Sequence, residues 1–278
     1  MKLKHFFSAL TASSLSLSLI GSPQSAHAQL AACPNPSTLT SVADFQALTG
    51  GACSGTPDEY GVTVYKMGLC TSDPTPGPGT AANYSSCSLS FEDSAGSSAN
   101  IAAGTSVGLP LGNTTRPTNG TYGYAIILIG TTFNIKAQYG PVAGSTYYST
   151  ATSTGWPAVA NTTGPATLNP VQANSFNEGN SCDSQDSLSI SSGTLTGTTL
   201  NSSQERIPDS TAVTTCPGAT YILGVVSLSS PVTIDDSVKA LDALFTVTNM
   251  GTTITTFGGG LIFDSGPFNV VLSVVRGS

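Results

Sequence analysis

Apolar residues in this chain come in short runs that alternate with polar ones, and this pattern limits the possible folds more than any other feature. Between residues 60 and 67, Val62 and Val64 fall on one side of an extended chain and Tyr65 and Met67 on the other, with Pro57 and Gly68 bracketing the run. Comparable runs follow at 87–91, 101–109, 122–139, 146–150, 188–195, 221–228, 244–248, 252–257, 261–263 and 268–275, many bounded by Gly, Pro or Asn. Such spacing predicts an all-β chain, a multi-stranded antiparallel β-sandwich of immunoglobulin-like or jelly-roll-like type. Asn119-Gly120 is a tight-turn signal, because both residues tolerate positive φ. Residues 125–129 (AIILI) are apolar without alternation, as expected of a strand covered on both faces, and are too few to span a bilayer as a helix.

One short helix is expected between residues 34 and 51, where Val42, Phe45 and Leu48 recur at spacing three and Gly50-Gly51 supply a stop. Residues 235–244 read two ways, as a helical turn after an Asp235 cap or as the lead-in to a strand. Trp156-Pro157, Gly164-Pro165 and Asn169-Pro170 make 150–180 loop-like. That stretch either crosses one domain or splits the chain near residue 160 into two β domains.

The first residues have the order of an export signal: Lys2 and Lys4, an apolar run from Phe6 to Ile20, then Ala26-His27-Ala28 before Gln29. Residues 1–28 are therefore expected to be a cleaved signal peptide, leaving 29–278 as a single β-rich extracellular domain with no transmembrane segment. Leu30-Ala31-Ala32-Cys33 also fits the box at which a lipid is attached, so anchoring through Cys33, or a periplasmic destination, is the alternative.

Six cysteines, Cys33, Cys53, Cys70, Cys87, Cys182 and Cys216, suit an oxidising compartment. Spacing alone does not choose among the fifteen possible pairings. Near neighbours are the expected partners, Cys33 with Cys53, Cys70 with Cys87 and Cys182 with Cys216, because each pair closes a loop rich in Gly, Pro or Ser. No two lie as close as the C-x-x-C spacing of a thiolate metal site.

Both histidines, His5 and His27, belong to the expected leader, so the processed chain has no imidazole for a Ser-His-Asp or Cys-His set or for a histidine-ligated metal. Without Lys2 and Lys4 the eight basic residues become six against 15 acidic ones, and the formal net charge moves from −7 to −9. A surface of that sign repels nucleic acid and anionic lipid. The S-x-x-K spacing of a serine–lysine enzyme is missing around Lys239.

Ile262-Phe263-Asp264-Ser265-Gly266 superficially matches the D-S-G loop of aspartic proteases, which need two such carboxylates sharing a proton. A second loop of this form is absent from the sequence, so 264–267 reads as a turn between two terminal strands. Asp58-Glu59, Glu92-Asp93 and Asp235-Asp236 are adjacent acids without the alternating ligands of an EF-hand, and Asp183 with Asp186 is the best weak calcium candidate. Trp156 is expected to fold onto the sheet rather than to stack a sugar.

Near the end, Phe268, Val270, Leu272 and Val274 occupy alternate positions of an apolar strand. This strand either closes the sheet of its own molecule or enters a neighbouring copy by strand addition. The resulting expectation is a secreted or cell-surface structural or adhesive protein rather than an enzyme, with a fibre subunit that self-associates by strand addition as its sharper form, and with no cofactor. A glycan- or calcium-binding module is the alternative, and a secreted glycosidase, whose two carboxylates leave no local signature, ranks behind it.

Overall fold

The computed structural model describes residues 30–101, 115–151, 159–176, 181–190 and 192–276. The expected leader, nearly all of the 101–109 run and Trp156 lie outside these residues. In chain order the elements are α1 (Val42–Thr49), β1 (Ala52–Gly55), β2 (Glu59–Cys70), β3 (Cys87–Asn100), β4 (Gly120–Gly130), β5 (Thr132–Lys136), β6 (Gln138–Val142) and β7 (Ser145–Tyr148). After them come β8 (Asn169–Gln172), β9 (Gln185–Ile190), β10 (Gly193–Leu200), β11 (Tyr221–Ile234), β12 (Val238–Thr246), β13 (Thr252–Phe257), β14 (Gly260–Ser265) and β15 (Asn269–Arg276). Two one-turn 3-10 helices, Pro36–Thr38 and Tyr84–Ser86, complete the set.

The strands form a large antiparallel sheet in the order β8-β5-β2-β4-β11-β10-β9, with β3 also paired to β2. A smaller sheet, β1-β13-β14, and two ribbons, β12-β15 and β6-β7, accompany it. Strands from both sides of residue 160 share the large sheet, since β8 pairs with β5 and β11 with β4.

The unbroken run 125–129 needs a nonpolar neighbour on each face, and its place in the middle of the large sheet supplies both. Ile127 and Ile129 join Val62, Val64, Phe133 and Ile135 of the same sheet in a core closed by Ile254, Leu261 and Phe263 of the small sheet. Ile126 and Leu128 point the other way, into a second cluster with Leu200, Leu223 and Val225. This is sandwich packing, with the main buried cluster holding residues of both sheets.

Local chemistry explains the boundaries. Ser41 Oγ accepts the backbone N–H of Asp44 at 3.1 Å and caps α1, while Gly50 at φ 69° ends it. Of the three residues at spacing three, Phe45 is buried, edge-on to Tyr139 at 5.7 Å, whereas Leu48 is 68% exposed. A helix of two turns resting on a sheet edge has room to bury only one such side chain. The expected run 188–195 contains a reversal: Leu188 and Leu195 are cross-strand partners on β9 and β10 rather than neighbours along one strand. Residues 235–237 form a side-chain turn, with Ser237 N–H donating to Asp235 Oδ1 at 2.9 Å, so the ambiguous stretch becomes strand β12 and not a helix.

Three disulfides join Cys33 to Cys53, Cys70 to Cys87 and Cys182 to Cys216. The terminal strand β15 pairs antiparallel with β12 of its own chain, setting Val270 opposite Phe245, Leu272 opposite Ala243 and Val274 opposite Leu241. Phe268, just before β15, lies against Tyr60 at 6.1 Å and Phe245 at 5.8 Å, which ties the approach to this strand into the main core.

Candidate functional site

Two features are candidates for a functional role, a cleft lined partly by residues of the main core and the β12–β15 ribbon. The cleft encloses about 500 Å³ between the large sheet and the connection from β14 to β15. Its floor is a cross-strand row in which Asp186, Gly197, Gly224 and Ile127 are successive register partners on β9, β10, β11 and β4. Partners directly opposite one another share a face, and the two glycines side by side let neighbouring side chains lie close over the floor, Ile127 and Leu195 over Gly224 and Phe176 over Gly197. A Cβ on Gly197 would come within 2.7 Å of the Phe176 ring, and glycine there lets that ring close one side.

The opposite wall is made by Tyr60, Phe133, Phe268 and the segment 264–267. The hydroxyl of fully buried Tyr60 donates to the Gly266 carbonyl at 2.8 Å, fixing the course of the chain as it leaves β14. That course carries Asp264 to the cleft. Asp264 is partly buried, and its Oδ1 accepts the N–H of Ser265. Loss of solvation raises its pKa above the ordinary carboxylate range, and the backbone and side-chain hydrogen bonds with Ser265 oppose the rise only in part. Burial also raises the Tyr60 phenol, and the neighbouring Asp264 charge adds to that rise.

The sign of this shift gives a direct expectation. With its folded pKa above its unfolded value, Asp264 contributes stability that is fully present below the unfolded pKa and lost as the pH rises through the folded one. Asp264→Asn should therefore raise the thermal midpoint at pH 7 by a few °C, with the difference from the parent closing below about pH 4. Paired melting curves across pH 3 to 8 measure it, and a gap that persists in acid would show that the benefit is not electrostatic.

The acids singled out from the sequence are dispersed. Glu59 pairs with Lys136 at 2.7 Å, Glu92 with Lys66, and Asp93 accepts the Ser97 hydroxyl at 2.7 Å. Asp235 is drawn down to about 2 by its bonds to Ser237 and Arg276. Of the calcium candidates, Asp186 lines the cleft, whereas Asp183 accepts the Ser181 hydroxyl at 3.1 Å and is not among the lining residues. Among the described residues no group of three or more His, Cys, Asp or Glu side chains gathers as a metal site.

Asp264 is the residue that sequence reasoning undervalued. Asp, Ser, Gly and Pro are all turn formers, yet Asp264 and Ser265 stay in β14, paired with Thr253 and Thr252, and only 266–268 connects it to β15; that this strand end carries a carboxylate to a cleft depends on strands remote in sequence. The only local signal was an acid placed directly after the apolar stretch Leu261-Ile262-Phe263.

The second feature is simpler. Among the described residues β12 and β15 pair only with each other, along eight register positions. Arg276 Nη1 reaches both Asp235 carboxylate oxygens at 2.9 Å and clamps one end of the ribbon. Arg116 caps the same end through the Asp235 and Val238 carbonyls. Val275 is 40% exposed.

No helix among the described residues is long and apolar enough to cross a membrane. Compared with family models, with curated proteins and with solved structures, the chain matches none.

Proposed function

We propose that this chain is exported and acts as a structural or adhesive protein at the cell surface, its copies joining edge to edge through the β12–β15 ribbon. Three disulfides, which persist in oxidising compartments, support the location. A single observation carries the assembly: a ribbon of two long strands that belongs to neither sheet. Two-stranded ribbons are marginal alone, and an outer edge without a partner offers backbone N–H and C=O groups as a template. Charges that normally blunt such an edge are few on β15, where Arg276 is the sole charged residue.

Because Phe268 is packed in its own core, β15 stays at home in this scheme and offers its outer edge instead of being donated. Pairing β15 of one copy with β12 of the next is a heterologous contact, which propagates into a filament rather than closing as a dimer. Purified protein should form filaments by negative-stain microscopy. Val275→Lys, which places a charge on the exposed end of β15, should leave folded monomers with an unchanged circular-dichroism spectrum. Parent protein that sediments as a monomer at high concentration would end this reading.

A further inference from the structure

We infer that the cleft between the large sheet and the β14–β15 connection is a binding site for a small cationic amphiphile, an apolar body carrying a protonated amine. The inference goes beyond edge-to-edge assembly and is independent of it, since the ribbon and the cleft use different residues.

Size comes first. About 500 Å³ is within the range of ~300 to 1,000 Å³ typical of small-molecule sites and is far more than one water needs. The walls come next: Ile127, Ile129, Phe133, Leu195, Ile222 and Phe268 present hydrocarbon and aromatic rings. A sugar, with a hydroxyl on nearly every carbon, would lose hydrogen bonds to water against such walls without recovering them. An alkyl or aryl body loses nothing there and gains by leaving water.

Charge then chooses the polar end. Both ionisable carboxylates that line the cleft, Asp186 and Asp264, are acidic, and no Lys or Arg is among the lining residues. Asp264 forms no ion pair among the described residues; its carboxylate accepts from the adjacent Ser265 N–H. A carboxylate that has given up part of its hydration without gaining a countercharge favours a cation over an alcohol, and an anion would be repelled by both acids. The flanking hydroxyls of Thr253 and Ser265 can take further amine protons.

Three probes with one ten-carbon chain separate the possibilities: n-decylamine, n-decanol and n-decanoate, titrated below their aggregation range by isothermal calorimetry at pH 7. The amine should bind, the alcohol at least tenfold more weakly, and the carboxylate not measurably. Asp264→Asn should cost the amine tenfold or more and leave the alcohol unchanged, while Asp186→Asn, at a more open position, should cost the amine about threefold. Melting curves establish that each variant is folded. If Asp264→Asn does not fold, the ranking of the three probes on the parent protein decides. No binding of the amine, equal binding of amine and alcohol, or an amine affinity indifferent to both substitutions would overturn the inference.

Discussion

Replacing both Cys182 and Cys216 with alanine should lower the unfolding free energy by about 4 kcal/mol, the largest loss among the three cystines. A crosslink acts mainly by restricting the unfolded chain, and the restriction grows with the loop it closes. This cystine spans 34 residues, against 20 for Cys33–Cys53 and 17 for Cys70–Cys87, which should each contribute about 3 kcal/mol. Location reinforces the ranking. Cys182 and Cys216 tie the entry to β9 to the long β10–β11 connection, and around them the buried apolar cluster is small, with Ile207 and Ala219 as the other members. Little hydrophobic burial there can substitute for the covalent bond. Urea denaturation of the three double variants tests the order. If the Cys70–Cys87 variant proved the least stable, native-state contacts and not loop entropy would be in control.

Gly266→Ala should cost at least about 3 kcal/mol and lower the melting temperature by on the order of 10 °C. A Cβ at this position would lie 1.9 Å from the Met250 carbonyl oxygen and about 3 Å from two further backbone carbons. Backbone cannot swing aside as the end of a flexible side chain can. Relief would have to come from breaking the Gly266 N–H bond to the Gly251 carbonyl, 3.0 Å, and the Tyr60 hydroxyl bond to the Gly266 carbonyl. Both hold the connection that shapes one wall of the cleft, so amine binding should weaken together with stability. A melting temperature within 2 °C of the parent's would show that this connection moves more freely than its hydrogen bonds imply.

Ionic contributions are minor overall: four salt bridges are formed among the described residues, and partners such as Arg276 and Asp235 are about half exposed. In a chain with 8% charged residues, stability must come from burial and cystines instead.

Strand identity was legible because alternation is local. Burial on one face of a pleated strand requires apolar residues at every second position, and that requirement is written along a few consecutive residues, as at 60–67. The unbroken run 125–129 likewise announced a strand covered on both sides. Near-neighbour cystines were legible for a related reason, since short loops fold back cheaply.

Other features depend on which strands become neighbours, and the sequence does not encode that locally. Gly197 and Gly224 are ordinary strand glycines until β10 and β11 align them in register. Asp264 reads as an ordinary turn residue until β13 pairs with it and Tyr60, 204 positions away in the chain, fixes the next carbonyl but one. The sequence by itself determined an antiparallel β chain poor in charge, because period and turn formers act over short distances. Only the tertiary structure decided where a carboxylate meets an apolar cleft and which strands, among the described residues, pair apart from the two sheets, because both arise from register and packing between segments that meet only once the chain has folded.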